Sequence, residues 1–246
     1  MTAVDRLRIA LDGAIPGRPA AFGLTREPDG PGWHPLSGLD ASTWCADDSA
    51  VTALGLAEVL GTAVLGRVVA ALVLTGCAID PADLLLHRHE LGFVDAVALR
   101  RPVVLSGPGD PIDAAAAAAV AVLGPVLDGI AAATRPAPLW DVVADSVRGA
   151  ATTLTLYRHD GAHDVADALV AALVAHGAPV RPAQREVVRA AGRSFEVAVR
   201  VTCCLLWTTV PAAERAAAYC TTCPHLDADT RAARFTAYVQ EQAGRG

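Results

Sequence analysis

The chain has 246 residues, of which 53% are hydrophobic, 19% are charged and 4% are aromatic. This apolar content excludes an intrinsically disordered chain, and the length is sufficient for one large domain or two small ones around a buried core. All 20 basic residues are arginines, and 26 acidic residues bring the net charge to −6. Because nucleic-acid binding needs a basic surface that carries aromatic rings, we expect no nucleic-acid partner.

Two long apolar stretches, residues 50–79 and 114–134, raise the question of membrane spans. Glu58 and Arg67 interrupt the first stretch, and the second is mostly alanine and contains Asp128. Because a charge at the centre of a bilayer is costly, we predict no transmembrane segment. The N-terminal residues lack the apolar stretch of a signal peptide. We therefore expect a cytoplasmic protein, with peripheral association at the inner face of the membrane as an alternative.

The first half of the chain predicts two helices followed by a small sheet. Residues 1–14 form a short amphipathic pattern, and a loop rich in glycine and proline comes next. Asp47, Asp48 and Ser49 are candidate N-caps for a long helix that runs to about Thr75 and is stopped by Gly76. Three short apolar runs, at residues 84–87, 93–99 and 102–105, then predict an antiparallel β meander. A turn at residues 106–109 closes it.

The second half predicts further helices and one more strand. The helices are expected over residues 113–133, 138–156, 163–176 and 227–242, and the strand at 194–201. We therefore predict an α+β fold with a mainly helical body, a small antiparallel β meander and a cysteine-rich C-terminal segment. The predicted division places the body at residues 1–180 and the C-terminal segment, packed on the body, at 181–246.

Charge is distributed unevenly between these two parts. Residues 1–180 carry a net charge of −9, whereas residues 181–246 carry +3. Four arginines recur every four residues at the start of the C-terminal segment: Arg181, Arg185, Arg189 and Arg193. This spacing is typical of one solvated face of a helix, and the alternative is a surface that faces an anion.

The cysteines are the most informative residues of the chain. Four of the six lie close together in the C-terminal segment: Cys203, Cys204, Cys220 and Cys223. Cys45 and Cys77 are isolated, and we expect them to be small buried hydrophobic residues. In a cytoplasmic protein, clustered thiols indicate metal binding or redox chemistry rather than a disulfide framework.

The spacing of the four cysteines leaves three alternatives open, namely a [2Fe–2S] cluster, a zinc ion, and redox-active thiols or a vicinal disulfide. A zinc site usually has a spacer between the two ligands of each pair, but Cys203 and Cys204 are adjacent. Because adjacent side chains point in different directions, a cluster with two metal centres accommodates them with less backbone distortion. The spacing favours an iron–sulfur cluster but does not exclude a zinc ion, or redox-active thiols or a vicinal disulfide.

A basic residue precedes the Cys-Cys pair in the run Arg200–Trp207, and Cys220-Thr221-Thr222-Cys223-Pro224 follows. This pattern resembles the C-terminus of the FhuF-type ferric-siderophore reductases. A weaker similarity is Pro138-Leu139-Trp140 at the start of a predicted helix. The fifteen residues between the two cysteine pairs form a longer spacer than is typical of the family. A longer loop adds little closure entropy, so the ligand set is retained.

The resemblance implies an iron–sulfur oxidoreductase with a [2Fe–2S] cluster on the four cysteines and no further catalytic residue. Its substrate would be a ferric siderophore, whose Fe(III) is reduced by one electron to Fe(II) for iron acquisition. The chain has no dinucleotide-binding fingerprint, so we expect an external electron donor, either ferredoxin-like or a flavin reductase. Expected substrate contacts are Arg185, Arg189 and Arg200, facing an anionic chelate, and Trp207.

Two other functions are compatible with the same residues. In the first, zinc on the four cysteines only stabilises a structural or binding protein. In the second, the helical body binds a siderophore without reducing it.

Overall fold

The computed structural model describes residues 3–16, 18, 21–25, 28, 30–89, 94–101, 104–105 and 109–243. The helices in these ranges are α1 (Ala3–Asp12), α2 (Ala50–Thr75), α3 (Pro111–Ala133), α4 (Leu139–Leu156), α5 (Ala162–Ala175), α6 (Arg215–Ala218) and α7 (Ala228–Ala243). The strands are β1 (Trp33–Pro35), β2 (Ala78–Ile79), β3 (Leu84–Arg88), β4 (Val94–Leu99), β5 (Val104–Leu105), β6 (Arg185–Ala190) and β7 (Arg193–Ala198). Helices predominate over small antiparallel sheets, which confirms the predicted α+β class.

Helix α2 is the central element of the body, and local signals fix both of its ends. The Ser49 hydroxyl accepts a hydrogen bond from the N–H of Thr52 at 3.1 Å. At the other end Gly76 has a φ of 69°, and its N–H donates to the Leu72 carbonyl at 2.9 Å. Glycine adopts this left-handed conformation without a steric penalty, and it stops the helix where the sequence predicts.

Helix α4 packs closely along α2 because Gly61 has no side chain at the crossing. A Cβ atom at Gly61 would lie 2.8 Å from the Ser146 hydroxyl oxygen and 3.1 Å from the Val143 Cα. The remaining helices of the body pack around this pair, and α3 and α5 also pack against each other. The close crossing brings one face of α4 next to Glu58 of α2, where the candidate site begins.

The predicted β meander is partly correct. Strands β3 and β4 pair antiparallel as expected, from Leu84 opposite Leu99 onwards. The third predicted strand corresponds to β5, but its predicted pairing is wrong, because β5 pairs with β2 and not with β4. The other edge of β3 is occupied by β1. Of the predicted turn at 106–109, residues 106–108 lie outside the described residues.

The C-terminal segment begins with a β hairpin, and the expectation of a helical arginine face is wrong. Strands β6 and β7 pair over their full length and meet at Ala191 and Gly192, which both have positive φ. A spacing of four residues places side chains on one face of a strand as well as of a helix. Arg185 and Arg189 therefore share the outer face of β6 while Val188 points inward.

A second apolar core lies beneath this hairpin, separate from the core of the body. Val188, Phe195 and Val197 of the hairpin pack against Phe235 and Val239 of α7. The rings of Phe195 and Phe235 meet edge to face with their centroids 5.6 Å apart, a favourable geometry for aromatic pairs. Helix α7 is thereby fixed beside the hairpin. In the sequence, the stretch that carries the four cysteines connects β7 to α7.

Two described helices, α2 and α3, are long and apolar enough to cross a membrane by length and composition alone. In the most apolar window of α2, 78% of the residues are buried inside the fold, compared with 39% for α3. Helix α2 meets the criterion because it is the apolar helix at the centre of the core.

Candidate metal centre

The four clustered cysteines lie on two stretches of chain that the fold brings side by side. Cys203 and Cys204 follow strand β7, and Cys220 and Cys223 precede helix α7. The two stretches are joined by the backbone N–H of Arg200, which donates to the carbonyl of Thr222 at 3.1 Å. Thr222 lies between the second pair of cysteines, so this bond sets the two pairs next to each other.

The thiols contact one another both across the two stretches and within the second one. Cys204 forms a side-chain hydrogen bond with Cys220, and Cys203 forms one with Cys223. Cys220 and Cys223 also contact each other. Each member of the Cys-Cys pair therefore has a partner from the Cys-x-x-Cys pair.

Backbone amides point at three of the four sulfur atoms. The N–H of Leu205 donates to Cys203 Sγ at 3.4 Å, and the N–H groups of Leu206 and His225 donate to Cys204 and Cys223. Leu205 has a φ of 59°, a left-handed conformation that is costly for leucine. This conformation turns two successive amides towards sulfur, an arrangement that favours negative charge on the thiols.

The thiols differ in acidity because they are hydrogen-bonded to each other. The bond from Cys220 lowers the pKa of Cys204. The same bond, together with burial, raises the pKa of Cys220. Burial is the main cause of the raised pKa of Cys223, whose exposed fraction is only 1%.

Two buried carboxylates of α4 hold the chain that leads into Cys203. Asp145 accepts hydrogen bonds from the N–H groups of Val201, at 3.0 Å, and Thr202, at 3.3 Å. One turn earlier, Asp141 accepts from both the backbone N–H and the Nε of Arg181, at 2.8 and 2.7 Å. Burial raises the pKa of Asp145, and the two amide bonds oppose that shift only in part.

Arg200 joins the cysteine stretches to helix α2. Its two terminal nitrogens lie 2.8 and 3.0 Å from the two carboxylate oxygens of Glu58, and its Nε lies 3.9 Å from Asp145 Oδ2. The guanidinium is close enough to Cys204 and Cys220 to stabilise negative charge on their sulfurs. Of the four predicted substrate contacts, Arg200 therefore lies at the thiols, but its charge is already paired with Glu58.

The other two predicted arginine contacts lie away from the cysteines on the hairpin. Arg185 forms ion pairs with Asp167 of α5 and with Glu196 of β7, the latter at 2.8 Å. Arg189 is exposed on the outer face of β6. Arg185 is therefore already engaged by two carboxylates, whereas Arg200 follows the hairpin and is mostly buried.

Trp207 packs with the rings of Tyr219 and His225, which flank the second pair of cysteines in the sequence. Its centroid is 5.5 Å from that of Tyr219 and 6.2 Å from that of His225, and Arg215 lies over the indole at 5.4 Å. Two arginines of α7, Arg231 and Arg234, donate to backbone carbonyls of the same region, including those of Cys223 and Tyr219. The loop between the cysteine pairs is therefore folded onto the site.

A cavity of about 480 Å³ is lined by Thr221 and Thr222, the two residues between Cys220 and Cys223. Its charged lining residues are Glu58 of α2, Asp145 of α4 and Arg200. Phe235 and Tyr238 of α7 also line it. Its volume is in the usual range for small-molecule sites.

The donor set fits a metal group that takes its thiolates in pairs. Among the described residues, which include all six cysteines, no three or more His, Cys, Asp or Glu side chains form a group that could hold a single metal ion. Four thiols linked in series by side-chain contacts, three of them with amide donors and two of them near a guanidinium, are nevertheless compatible with the donor set of an iron–sulfur cluster. Cys45 and Cys77 belong to other parts of the fold, near Trp44 and after α2.

Comparison of the chain with protein-family models, with curated proteins and with solved structures gave no match.

The residues that position the cysteines carry little signal in the sequence. Glu58 stands out only as a charge within an apolar stretch, and Tyr219 and Arg231 belong to no motif. A signal for Asp141 and Asp145 is their spacing of four residues on α4, which places both acids on one face of the helix.

Proposed function

We propose that this protein is a ferric-siderophore reductase that carries a [2Fe–2S] cluster on Cys203, Cys204, Cys220 and Cys223. The observation that supports the proposal is that the four thiols lie side by side, with side-chain hydrogen bonds of Cys204 to Cys220 and of Cys223 to both Cys203 and Cys220. Each iron of such a cluster takes two protein thiolates, whereas a zinc ion would need all four around one point.

When bound, the cluster would supply one electron at a time, which reduces Fe(III) in an oxygen-donor chelate to the more weakly held Fe(II). An external donor, ferredoxin-like or a flavin reductase, would replace that electron. The residues around the cysteines would stabilise the negative charge of the bound cluster. Amides of Leu205, Leu206 and His225 donate to sulfur, and Arg200 offsets negative charge at Cys204 and Cys220.

The aromatic cover and the cavity give this site two different sides. Trp207, Tyr219 and His225 pack against one another, while Thr221 and Thr222, which lie between Cys220 and Cys223, line the cavity. A substrate in the cavity would therefore contact residues that are next to two of the four cysteines in the chain, and short distance is what electron transfer needs.

The test is a visible spectrum of anaerobically purified protein, with iron, sulfide and zinc assayed on the same sample. We expect about two irons and two sulfides per chain and a red-brown colour that dithionite bleaches and a ferric siderophore restores. Colourless protein with one zinc per chain would refute the proposal and favour the zinc-stabilised alternative.

A further inference from the structure

Two buried side-chain N–H groups of the run Arg200–Trp207 form no hydrogen bond with any residue that the structure describes. Within those residues, four buried nitrogens are of this kind: Arg8 Nε, His163 Nε2, Arg200 Nε and Trp207 Nε1. Burial keeps water away from them, and buried donors in native proteins are nearly always paired. Because two of the four lie in the short run that carries the first pair of cysteines, they point to an acceptor held at the candidate metal centre.

The indole of Trp207 is packed among sequence neighbours of both cysteine pairs. Along the chain it lies three residues after Cys204. Its centroid is 5.5 Å from that of Tyr219 and 6.2 Å from that of His225, the residues that flank the second pair of cysteines. The guanidinium of Arg215 lies over the ring at 5.4 Å. The indole is therefore fixed in the cysteine-bearing segment, and solvent does not reach its N–H group.

The thiols and carboxylates of the centre do not accept from these two donors. Three of the four sulfurs accept hydrogen bonds from backbone amides, but neither Trp207 Nε1 nor Arg200 Nε bonds to a sulfur. Arg200 Nε lies 3.9 Å from Asp145 Oδ2, which is beyond the length of a hydrogen bond. The acceptor must therefore be an atom that the cysteines themselves do not supply.

The two metal groups considered for this centre differ in the acceptors that they bring. A [2Fe–2S] cluster contains bridging sulfide ions in addition to the cysteine thiolates, and hydrogen bonds to its sulfurs are one of the factors that set its potential. A zinc ion brings no acceptor atom. Unpaired N–H groups next to the cysteines therefore fit the cluster better than zinc.

We propose that the indole N–H of Trp207 donates a hydrogen bond to a bridging sulfide of the bound cluster and thereby raises its reduction potential. The inference rests on the proposed function, because it gives a residue of the chain a contact with that cluster. One-electron reduction adds negative charge to the sulfurs, so a donor stabilises the reduced form more than the oxidised form. This role differs from the substrate contact that the sequence predicts for Trp207.

The first measurement detects the contact without any assay of activity. Protein carrying ¹⁵N only in its indole rings is loaded with cluster, reduced with dithionite and studied by pulsed electron paramagnetic resonance. The reduced cluster is paramagnetic, so we expect a ¹⁵N coupling from the hydrogen-bonded indole. The chain has four tryptophans. The coupling should disappear in Trp207→Phe and persist in Trp33→Phe, Trp44→Phe and Trp140→Phe. The last three variants assign the signal even if Trp207→Phe takes up no cluster.

The second measurement is the reduction potential, by dye-linked titration. Trp207→Phe keeps an aromatic ring but removes the N–H group, and we expect a lower potential. The expected change is about tenfold in the redox equilibrium constant, equivalent to about 59 mV for one electron. Trp44→Phe is the matched control, because Trp44 packs in the core of the body and contacts the ring of His34. Circular dichroism verifies that both variants are folded.

The outcomes separate this inference from the proposed function. Protein that holds iron and sulfide but shows no ¹⁵N coupling, or keeps the coupling in Trp207→Phe, overturns the inference and leaves the cluster in place. An unchanged potential in Trp207→Phe also overturns it. Colourless protein with zinc and no sulfide overturns the inference and the proposed function together.

Discussion

Glu58 and Arg200 form a two-point ion pair across 142 positions of the sequence, with nitrogen–oxygen distances of 2.8 and 3.0 Å. The pair connects the central helix of the body to the residue whose backbone N–H bonds to Thr222 between the second pair of cysteines. An arginine is needed here because only a planar guanidinium engages both carboxylate oxygens at once.

Arg200→Gln should lower the reduction potential of iron-loaded protein, because it removes a positive charge near Cys204 and Cys220. Arg200→Lys, which retains the charge but loses the two-point geometry, should restore most of the difference. Arg189→Gln on the exposed face of β6 is the control and should leave the potential unchanged. Protein-film voltammetry or a dye-linked redox titration measures the effect, and equal shifts in Arg200→Gln and Arg189→Gln would contradict it.

Cys203→Ser and Cys223→Ser should each abolish the visible chromophore, because each removes a thiol from one contacting pair. Cys45→Ser and Cys77→Ser should retain the spectrum and the iron content of the unmodified protein, because they lie outside the candidate centre. The measurement is absorption together with iron and sulfide analysis after anaerobic purification. If all four variants gave the same spectrum, the ligand assignment would be wrong.

Asp145→Ala should destabilise the fold by about 2–4 kcal/mol, since it leaves the buried N–H groups of Val201 and Thr202 and the guanidinium of Arg148 without their partner. Urea unfolding gives the free energy. Asp113→Ala is the control, because Asp113 is 64% exposed and pairs only with His176 at the surface, where we expect about 0–1 kcal/mol. Similar losses in both variants would argue against the anchoring role of Asp145.

Gly61→Ala should destabilise the protein by about 1–3 kcal/mol, because the added methyl would lie 2.8 Å from the Ser146 hydroxyl oxygen and force α2 away from α4. Gly55→Ala on the same helix is the matched control. A Cβ atom there meets nothing within 4 Å, so better helix propensity should make this variant neutral or more stable by up to about 1 kcal/mol. Thermal unfolding of the two variants distinguishes them, and a stabilised Gly61→Ala would show that the helices do not depend on this contact.

Asp47→Asn should make the free energy of unfolding less dependent on pH in the acidic range. Hydrogen bonds from Ser49 and Thr52 at the start of α2 lower the pKa of Asp47 from 3.8 to about 2. Because the folded-state pKa is the lower one, the contribution is present above 3.8 and is lost as the pH falls towards about 2.

The unfolding midpoint of the two proteins should therefore differ at neutral pH and converge in acid. Asp48→Asn, which leaves these bonds intact, is the control. A difference that stayed constant down to the acid limit would exclude the charge of Asp47 as its cause.

Much of the fold could be predicted because it follows from local signals. The Ser49 cap and Gly76 define α2 through bonds within a few residues of each end, and alternating apolar residues define β7. The adjacent cysteines and the Cys-x-x-Cys pattern are also local signals. The sequence by itself therefore determined that helices predominate and which four thiols form the candidate ligand set.

Only the tertiary structure decided what surrounds those thiols. The arginine spacing of four residues fits one face of a helix and one face of a strand equally, and the apolar contact of Val188 with Phe235 of α7 selected the strand. Glu58 and Asp145 act on the cysteine stretches from 142 and 56 positions away, at distances along the chain where side-chain periodicity carries no information. Packing of α4 on α2 places the two carboxylates around Arg200, an arrangement that no local pattern of the sequence shows.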